Sequence, residues 1–379
     1  MILETGKIYQ GDSLAVLKTF PDESVDCVIT SPPYYGLRSY LPKDHPDKKK
    51  EIGSENSMDE HLKVLMEIFI EVKRVLKPSG SFWLNYGDCY GAGNRKDNVP
   101  DSLGNGRDLP LNTRNQGYEK SMLMLPERVA LKMVDEQGWI LRQKICWAKQ
   151  VYLQKSNRTI GSAMPTSVKD RFNTTWEYLY HFTKNKRYYF NLDAVRIPVQ
   201  TLEDRPMGID REKEYPEAKR NKFSFNYRVR DAAKKAGNPQ FKASKEEIKN
   251  YKGNAKYKEY YEAKTRGENT RHSGLEINAT WDKSGVLYNP NGKNLPSVWL
   301  IGTEPSKELH FARFPSALCE IPIQSSCPEG GIVCDIFCGS GTTLAVAKRL
   351  KRQWVGIEIN KDYIAIAKQR LLGQINPML

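Results

Sequence analysis

Apolar positions along this chain recur with two different periods, and the switches between them outline strands and helices. Residues 25–30, Val-Asp-Cys-Val-Ile-Thr, form a short apolar run that predicts a strand. Ser31 is followed by Pro32 and Pro33, and two prolines cannot continue a ladder, so the chain must leave the sheet there. After a loop rich in Lys, Asp and Pro, Leu62, Leu65, Met66, Phe69, Val72, Val75 and Leu76 recur at three- and four-residue spacing. That spacing predicts a helix, stopped by Pro78 and Gly80, with a strand over 81–86 behind it. Residues 88–121 are polar and glycine-rich without periodicity, which predicts a mobile surface loop. A second helix is expected over 123–136. Strands are expected over 139–147 and 176–182, the latter continuing into Tyr188, Tyr189 and Phe190.

Regular patterning returns at the end of the chain. Residues 332–337 read as a buried strand, Gly339-Ser340-Gly341 as a tight turn and 342–350 as a helix. A strand over 354–358 and a last helix over 361–371 follow. Strands alternating with helices predict an α/β chain with a parallel, doubly wound sheet.

The 379 residues allow one large domain with a long insertion, or two to three domains. A 39% hydrophobic content suffices to build a core, so wholesale disorder is not expected. No apolar run approaches the ~18–20 residues of a membrane span, and the first ten residues lack the apolar stretch of a signal peptide. A soluble, cytoplasmic chain is expected. Seven cysteines without a Cys-x-x-Cys pair, and five histidines without zinc spacing, point to reduced, packing thiols and to no metal site.

Charge changes the picture more. The formal net charge is +14, which predicts an anionic partner such as nucleic acid. Residues 201–275 hold 19 Lys/Arg against 12 Asp/Glu, a net +7, or half the excess in about a fifth of the length. Phe223, Phe225, Tyr227, Phe241, Tyr251, Tyr257, Tyr260 and Tyr261 interleave with these charges. A solvated linker would carry the charges; a nucleic-acid-facing insertion would use both, cations on phosphates and aromatics for stacking or packing.

Two motifs carry candidate chemistry. Asp335-Ile336-Phe337-Cys338-Gly339-Ser340-Gly341-Thr342-Thr343 is a strand, a glycine turn and a helix start, which brings backbone N–H groups close to a ligand. It lacks the third glycine of a dinucleotide fingerprint and the Gly-Lys-Ser/Thr of a phosphate loop. Glu358 ends the next strand, 17 residues after Gly341, where a carboxylate can take both hydroxyls of a ribose. Thr30-Ser31-Pro32-Pro33-Tyr34 sits at the carboxyl end of the first strand. The Ser31 hydroxyl and the Pro32 carbonyl offer two acceptors for the hydrogens of a base's exocyclic amine. They would favour a tetrahedral nitrogen whose lone pair points at an electrophilic methyl, and Tyr34 offers a face for an extruded base. In isolation each motif is also compatible with a plain βα turn and a Pro-Pro strand stop.

Together, Thr30-Ser31-Pro32-Pro33-Tyr34 and the 335–342 turn resemble the catalytic and cofactor motifs of the amino-methylating DNA methyltransferases. The catalytic motif comes first by about 300 residues, an order similar to the circularly permuted β group. Gly11-Asp12, the 310–315 stretch His-Phe-Ala-Arg-Phe-Pro, and Trp176-Glu177-Tyr178 with the 181–184 and 188–191 stretches also resemble the family. The resemblance implies a Rossmann-like, S-adenosylmethionine-dependent methyltransferase fold with an inserted target-recognition region. It divides the chain into a catalytic half at 1–196, a DNA-recognition insertion at 197–297 and a cofactor half at 298–379. Phe337, Gly339 and Gly341 would line the methionine part of the cofactor, Asp335 and Thr342 would also belong to the cofactor site, and Glu358 would hold the ribose. Asp12 would lie near the adenine, and Phe314 and Pro315 would belong to the segment that closes over it. Ser31, Pro32, Pro33 and Tyr34 would hold the target base. Ser-Pro-Pro-Tyr in this family usually accompanies methylation of cytosine N4, whereas Asp or Asn in the first place accompanies adenine N6.

The resemblance implies double-stranded DNA as partner, in a restriction-modification or viral setting with a cognate restriction endonuclease as functional partner. Methylation of cytosine C5 would need an activated Cys, typically in a Pro-Cys pair, and the chain has none. The same chemistry on adenine, or a silent nucleic-acid-binding scaffold, are the rival readings. All of this requires that two loops far apart in sequence meet on one rim of the sheet.

Overall fold

The computed structural model describes residues 2–36, 44, 45, 48, 51–91, 118–198, 280, 281, 287, 288, 292–303 and 314–373. Two compact units divide the chain, residues 1–195 with 296–379, and residues 196–295.

The first unit is built on an eight-stranded sheet in the order β1-β12-β11-β2-β3-β7-β4-β10. Its strands are β1 (Lys7–Gln10), β2 (Val25–Thr30), β3 (Leu76–Tyr86), β4 (Ile140–Ala148), β7 (Trp176–Thr183), β10 (Val298–Leu300), β11 (Ile332–Asp335) and β12 (Gln353–Glu358). β7 is antiparallel to both neighbours, and every other pair is parallel. β5 (Gln150–Leu153) and β6 (Arg158–Gly161) form a separate antiparallel ribbon. Among the described residues, six α-helices accompany the strands: α1 (Ser13–Leu17), α2 (Met58–Val75), α3 (Leu125–Asp135), α4 (Ser316–Ser326), α5 (Thr342–Arg349) and α6 (Lys361–Leu371).

Alternation along the central strands explains why helices cover both faces. Val28 and Phe82 belong to the core cluster that contains Leu62, Leu65, Phe69 and Val72 of α2. Cys27 and Trp83, one position earlier and later, turn the other way, and both reach Ser326 of α4, Trp83 through Nε1 at 2.8 Å. Central strands buried on both sides read as continuous apolar runs, as β2 does.

Two expectations need correction. The strand at 176 ends at Thr183, and Tyr188, Tyr189 and Phe190 lie outside it. The chain turns instead at Lys184, whose Nζ donates to the carbonyls of Leu76 (2.6 Å) and Lys73 (3.2 Å). The helix expected to stop at Pro78 and Gly80 ends at Val75, and β3 begins at Leu76 and runs through them. A register shift between Val25 and Cys27 of β2 takes up the extra residues, which is where a strand tolerates proline. α4 forms where no element was expected, with Pro322 inside it.

Of the expected loop at 88–121, residues 92–117 lie outside the described residues. Its two ends are tied together by bridges at Tyr90–Met122 and Gly91–Glu119, and Asp88 accepts from the first backbone N–H groups of α3. In the second unit the described residues include β8 (Thr280–Trp281) paired with β9 (Leu287–Tyr288), and a bridge between Ile197 and Lys293. The basic stretch 201–275 lies outside the described residues. No helix among the described residues is long and apolar enough to cross a membrane.

Candidate functional site: a rim shared by two distant loops

Parallel pairing puts the carboxyl ends of β1, β12, β11, β2 and β3 on one rim, and the antiparallel β7 brings its amino end there. The chain departs in opposite directions on the two sides of the β11–β2 pair, which is the switch point where open α/β sheets take ligands. Cys27 and Val28 sit beside Val333 and Cys334, so Thr30 and Asp335 end adjacent strands although they are 305 residues apart.

Asp335 joins the two motifs. One carboxylate oxygen accepts from Thr30 Oγ1 at 2.7 Å and from the Phe337 N–H at 3.1 Å, and the other accepts from Thr343 Oγ1 at 2.6 Å. Burial pushes its carboxyl up to about 6, and these three donors pull the other way. The turn that follows is shaped by glycine. Gly339 and Gly341 have φ of 49° and 78°, and a Cβ on Gly341 would stand 2.9 Å from Ala367 Cβ of α6.

Glu358 faces this turn from the end of β12. Its carboxylate accepts from the Gly339 N–H at 2.8 Å and the Asn360 N–H at 2.9 Å, and burial pushes it up to about 7. Gly11 donates its N–H to the Glu358 carbonyl at 3.0 Å, which sets the Gly11-Asp12 turn beside it. Asp12 caps α1 through the Ala15 N–H at 2.9 Å, and Ser13 Oγ donates to the Ile336 carbonyl at 2.7 Å. Asp12, Asp335, Phe337, Gly339, Gly341 and Glu358 therefore gather along one stretch of the rim.

Three expected residues are placed differently. The Thr342 hydroxyl accepts from Arg370 Nη1 at 2.8 Å, tying α5 to α6. Phe314 and Pro315 stand at the start of α4, and no hydrogen bond links them to the glycine turn among the described residues; residues 310–313 lie outside these.

On the β2 side, Ser31 Oγ lies 3.4 Å from Tyr34 Oη. Pro32 is buried, and Pro33 and the Tyr34 backbone pack on Gly53, where a Cβ would meet the Tyr34 carbonyl oxygen at 2.9 Å. The Tyr34 ring lies over Gly87, where a Cβ would come within 2.4 Å of it, and edge-on to Tyr86 at 5.3 Å. Tyr34 donates its hydroxyl proton to Glu177 Oε2 at 2.9 Å. The same oxygen accepts from Asn85 Nδ2 at 3.2 Å, and the other is paired with Lys149. Sequence reading quoted Thr30 and Glu177 within motifs but gave neither a role, and it did not single out Asn85 or Lys149. The available signal was their place at strand ends, β2, β7, β3 and β4 respectively, beside the Ser-Pro-Pro-Tyr loop.

The site thus pairs a carboxylate-backed glycine turn with a proline-stiffened loop presenting an aromatic ring. Comparison with known proteins gives it a family. The N6_N4_Mtase family, described as DNA methylase, matches residues 25–369. The chain belongs to this family. It is 32% identical over 408 residues to the Type II methyltransferase M.SfiI of Streptomyces fimbriatus, covering 94% of this chain and 89% of that protein. It is 31% identical to M.XycI of Xanthomonas campestris pv. cyanopsidis, covering 99% of this chain and 90% of that protein. Among solved structures, the PvuII DNA methyltransferase (cytosine-N4-specific) aligns with a TM-score of 0.50 at 20% identity, covering 99% of this chain and 90% of that one. The fold is that of the Rossmann-like methyltransferases, and the family takes its methyl group from S-adenosylmethionine.

Proposed function

We propose that this DNA methylase transfers a methyl group from S-adenosylmethionine to the N4 amine of a cytosine extruded from duplex DNA. The observation that carries the reading is the hydrogen bond from Thr30 to Asp335, because it fastens the Ser31–Tyr34 loop to the glycine turn. The residues present fit the cofactor. A cradle that a Cβ would fill lies at Gly341, the Ser340 hydroxyl is buried without a hydrogen-bond partner among the described residues, and Glu358 stands at the rim. Asp335, Phe337, Gly339, Gly341 and Thr342 would then line its methionine portion, Glu358 would hold the ribose and Asp12 would lie by the adenine, under Phe314 and Pro315. Once bound, the cofactor supplies an electrophilic methyl on a sulfonium.

The chain's own residues do the rest. Ser31 Oγ and the Pro32 carbonyl accept the two amine hydrogens and free the nitrogen lone pair, with Pro33 fixing the loop. The Tyr34 ring, held by Glu177, stacks on the base and offsets the few kcal/mol of unstacking. Serine in the first position of the loop favours cytosine, as does the cytosine-N4 specificity in the name of the PvuII enzyme. Residues 197–297 form the target-recognition region, and the enzyme works in the cytoplasm beside a cognate restriction endonuclease. Mass spectrometry of DNA digested after reaction tests the target atom. N4-methylcytosine is expected, and N6-methyladenine in its place would overturn the cytosine assignment while keeping the family chemistry.

A further inference from the structure

Between β4 and β7 the chain leaves the main sheet over residues 149–175, at the rim that carries Ser31, Tyr34 and Glu177. The β5–β6 ribbon lies inside this excursion and pairs with no other strand among the described residues. Val151 opposes Ile160, Tyr152 opposes Thr159 and Leu153 opposes Arg158. Its tip is closed by its own side chains. Asn157 takes a left-handed conformation with φ 48°, and its Oδ1 accepts from Tyr152 Oη at 3.0 Å. A two-stranded ribbon is marginal by itself in water, so one held only at its base and tip is suited to completion by a partner.

The excursion leaves several large side chains exposed to solvent. Tyr152 is 59% exposed, Met164 86% and Phe172 97%. Exposed aromatic and apolar side chains on one excursion from the sheet rim are available to a partner there. The same stretch carries Lys149, Lys155, Arg158, Lys169 and Arg171 against Asp170 alone. Lys149 is committed to Glu177, and Asp170 is held by Lys120 at 2.8 Å, so the local field stays positive. Cations neutralise phosphates, and the major groove of DNA is wide enough to admit a two-stranded ribbon.

We propose that the β5–β6 ribbon is a second DNA-contacting element, seated in the groove beside the extruded base and separate from residues 197–297. Lys155 and Arg158 at the tip meet phosphates, and Tyr152 lies against the sugars and base edges. The proposal rests on the reading of this chain as a duplex-DNA methyltransferase.

The test uses the full chain with unmethylated plasmid DNA and tritiated S-adenosylmethionine. DNA affinity is measured across salt concentrations, together with the KM for DNA. In the double variant Lys155→Ala, Arg158→Ala the slope of log affinity against log salt is expected to shrink by about two. Its KM for DNA is expected to rise roughly tenfold near physiological salt. Tyr152→Ala is expected to raise KM severalfold at an unchanged slope. Cofactor affinity within twofold of wild type reports that each variant is folded. Acylation footprinting of the wild type gives a second reading, in which DNA should protect Lys155. An unchanged slope and KM, or an unprotected Lys155, would overturn the ribbon assignment. A wild type that neither binds nor methylates the plasmid would sink the underlying DNA reading, a different outcome from a wild type that does both while the variants match it.

Discussion

The carboxylates at the rim differ in what holds them, and that difference is testable. Glu358 is pushed up to about 7 by burial, against the pull of two backbone N–H donors. A carboxyl raised in the folded state stabilises the protein below its ordinary value, near 4.5, and that contribution is lost as pH rises through about 7. Binding a ribose through its hydroxyls favours the anion, so cofactor affinity should weaken as pH falls below about 7. Glu358→Gln should flatten that dependence and lower affinity roughly tenfold, since its amide has one acceptor for the two N–H donors of Gly339 and Asn360. Titration calorimetry across pH 5.5–8.5 checks both, and an undiminished pH dependence in the variant would remove Glu358 from the ribose. On the other side, Ser31→Ala removes one amine acceptor and should cut turnover about a hundredfold at unchanged cofactor affinity. Unchanged single-turnover rates would end that role for Ser31. Tyr34 and Glu177 act through one hydrogen bond of 2.9 Å. Tyr34→Phe and Glu177→Gln should therefore each slow turnover several-fold, and the double variant should be no slower than the worse single one. Additive losses would separate the two residues. Ser31, Tyr34 and Glu358 were legible in the sequence because their motifs are contiguous. Glu177 was not, since nothing along the chain says which ring a strand-end carboxylate will reach.

At the scale of elements, period and punctuation located most of the sheet. β2 falls on the predicted 25–30, α2 on the predicted three- and four-residue spacing and α6 on 361–371. The failures have physical reasons. α4 buries Leu318, Cys319, Pro322 and Ile323 between β2 and α5, so tertiary packing overrides a proline that local pattern treats as a stop. β3 absorbs Pro78 at a register shift that only its partner strand reveals. The β5–β6 ribbon lacks a buried face and so leaves no alternation to read. The glycine turn is the opposite case, since its sequence dictates its shape. Gly341→Ala would force a Cβ toward Ala367 from a φ of 78°. We expect a loss of about 1–3 kcal/mol in denaturant unfolding, with weakened cofactor binding, as α6 is pushed from the start of α5. A fully stable variant with normal cofactor affinity would mean that the turn relaxes without cost.

For the whole molecule, the distribution of charge sets residues 201–275 apart from the rim. Half of the +14 excess lies in residues 201–275, away from every residue of the rim in sequence. The chain returns from that stretch to where it left, since Ile197 and Lys293 exchange backbone hydrogen bonds of 3.1 and 2.9 Å. A segment whose ends are already paired can be shortened with little loss of closure entropy. Replacing 201–275 by a short glycine-serine linker should therefore leave cofactor affinity within twofold of wild type. DNA binding should weaken, and the salt dependence should lose several of its phosphate contacts, each worth about 0.9 in slope. Methylation should spread from defined sites to scattered ones, because base-edge readout disappears while Ser31 and Tyr34 still receive an extruded base. Sequencing of modified bases in plasmid DNA reads the outcome directly. If the shortened enzyme still marks one defined sequence, site choice belongs to the catalytic unit, and the β5–β6 ribbon becomes the first place to look for it.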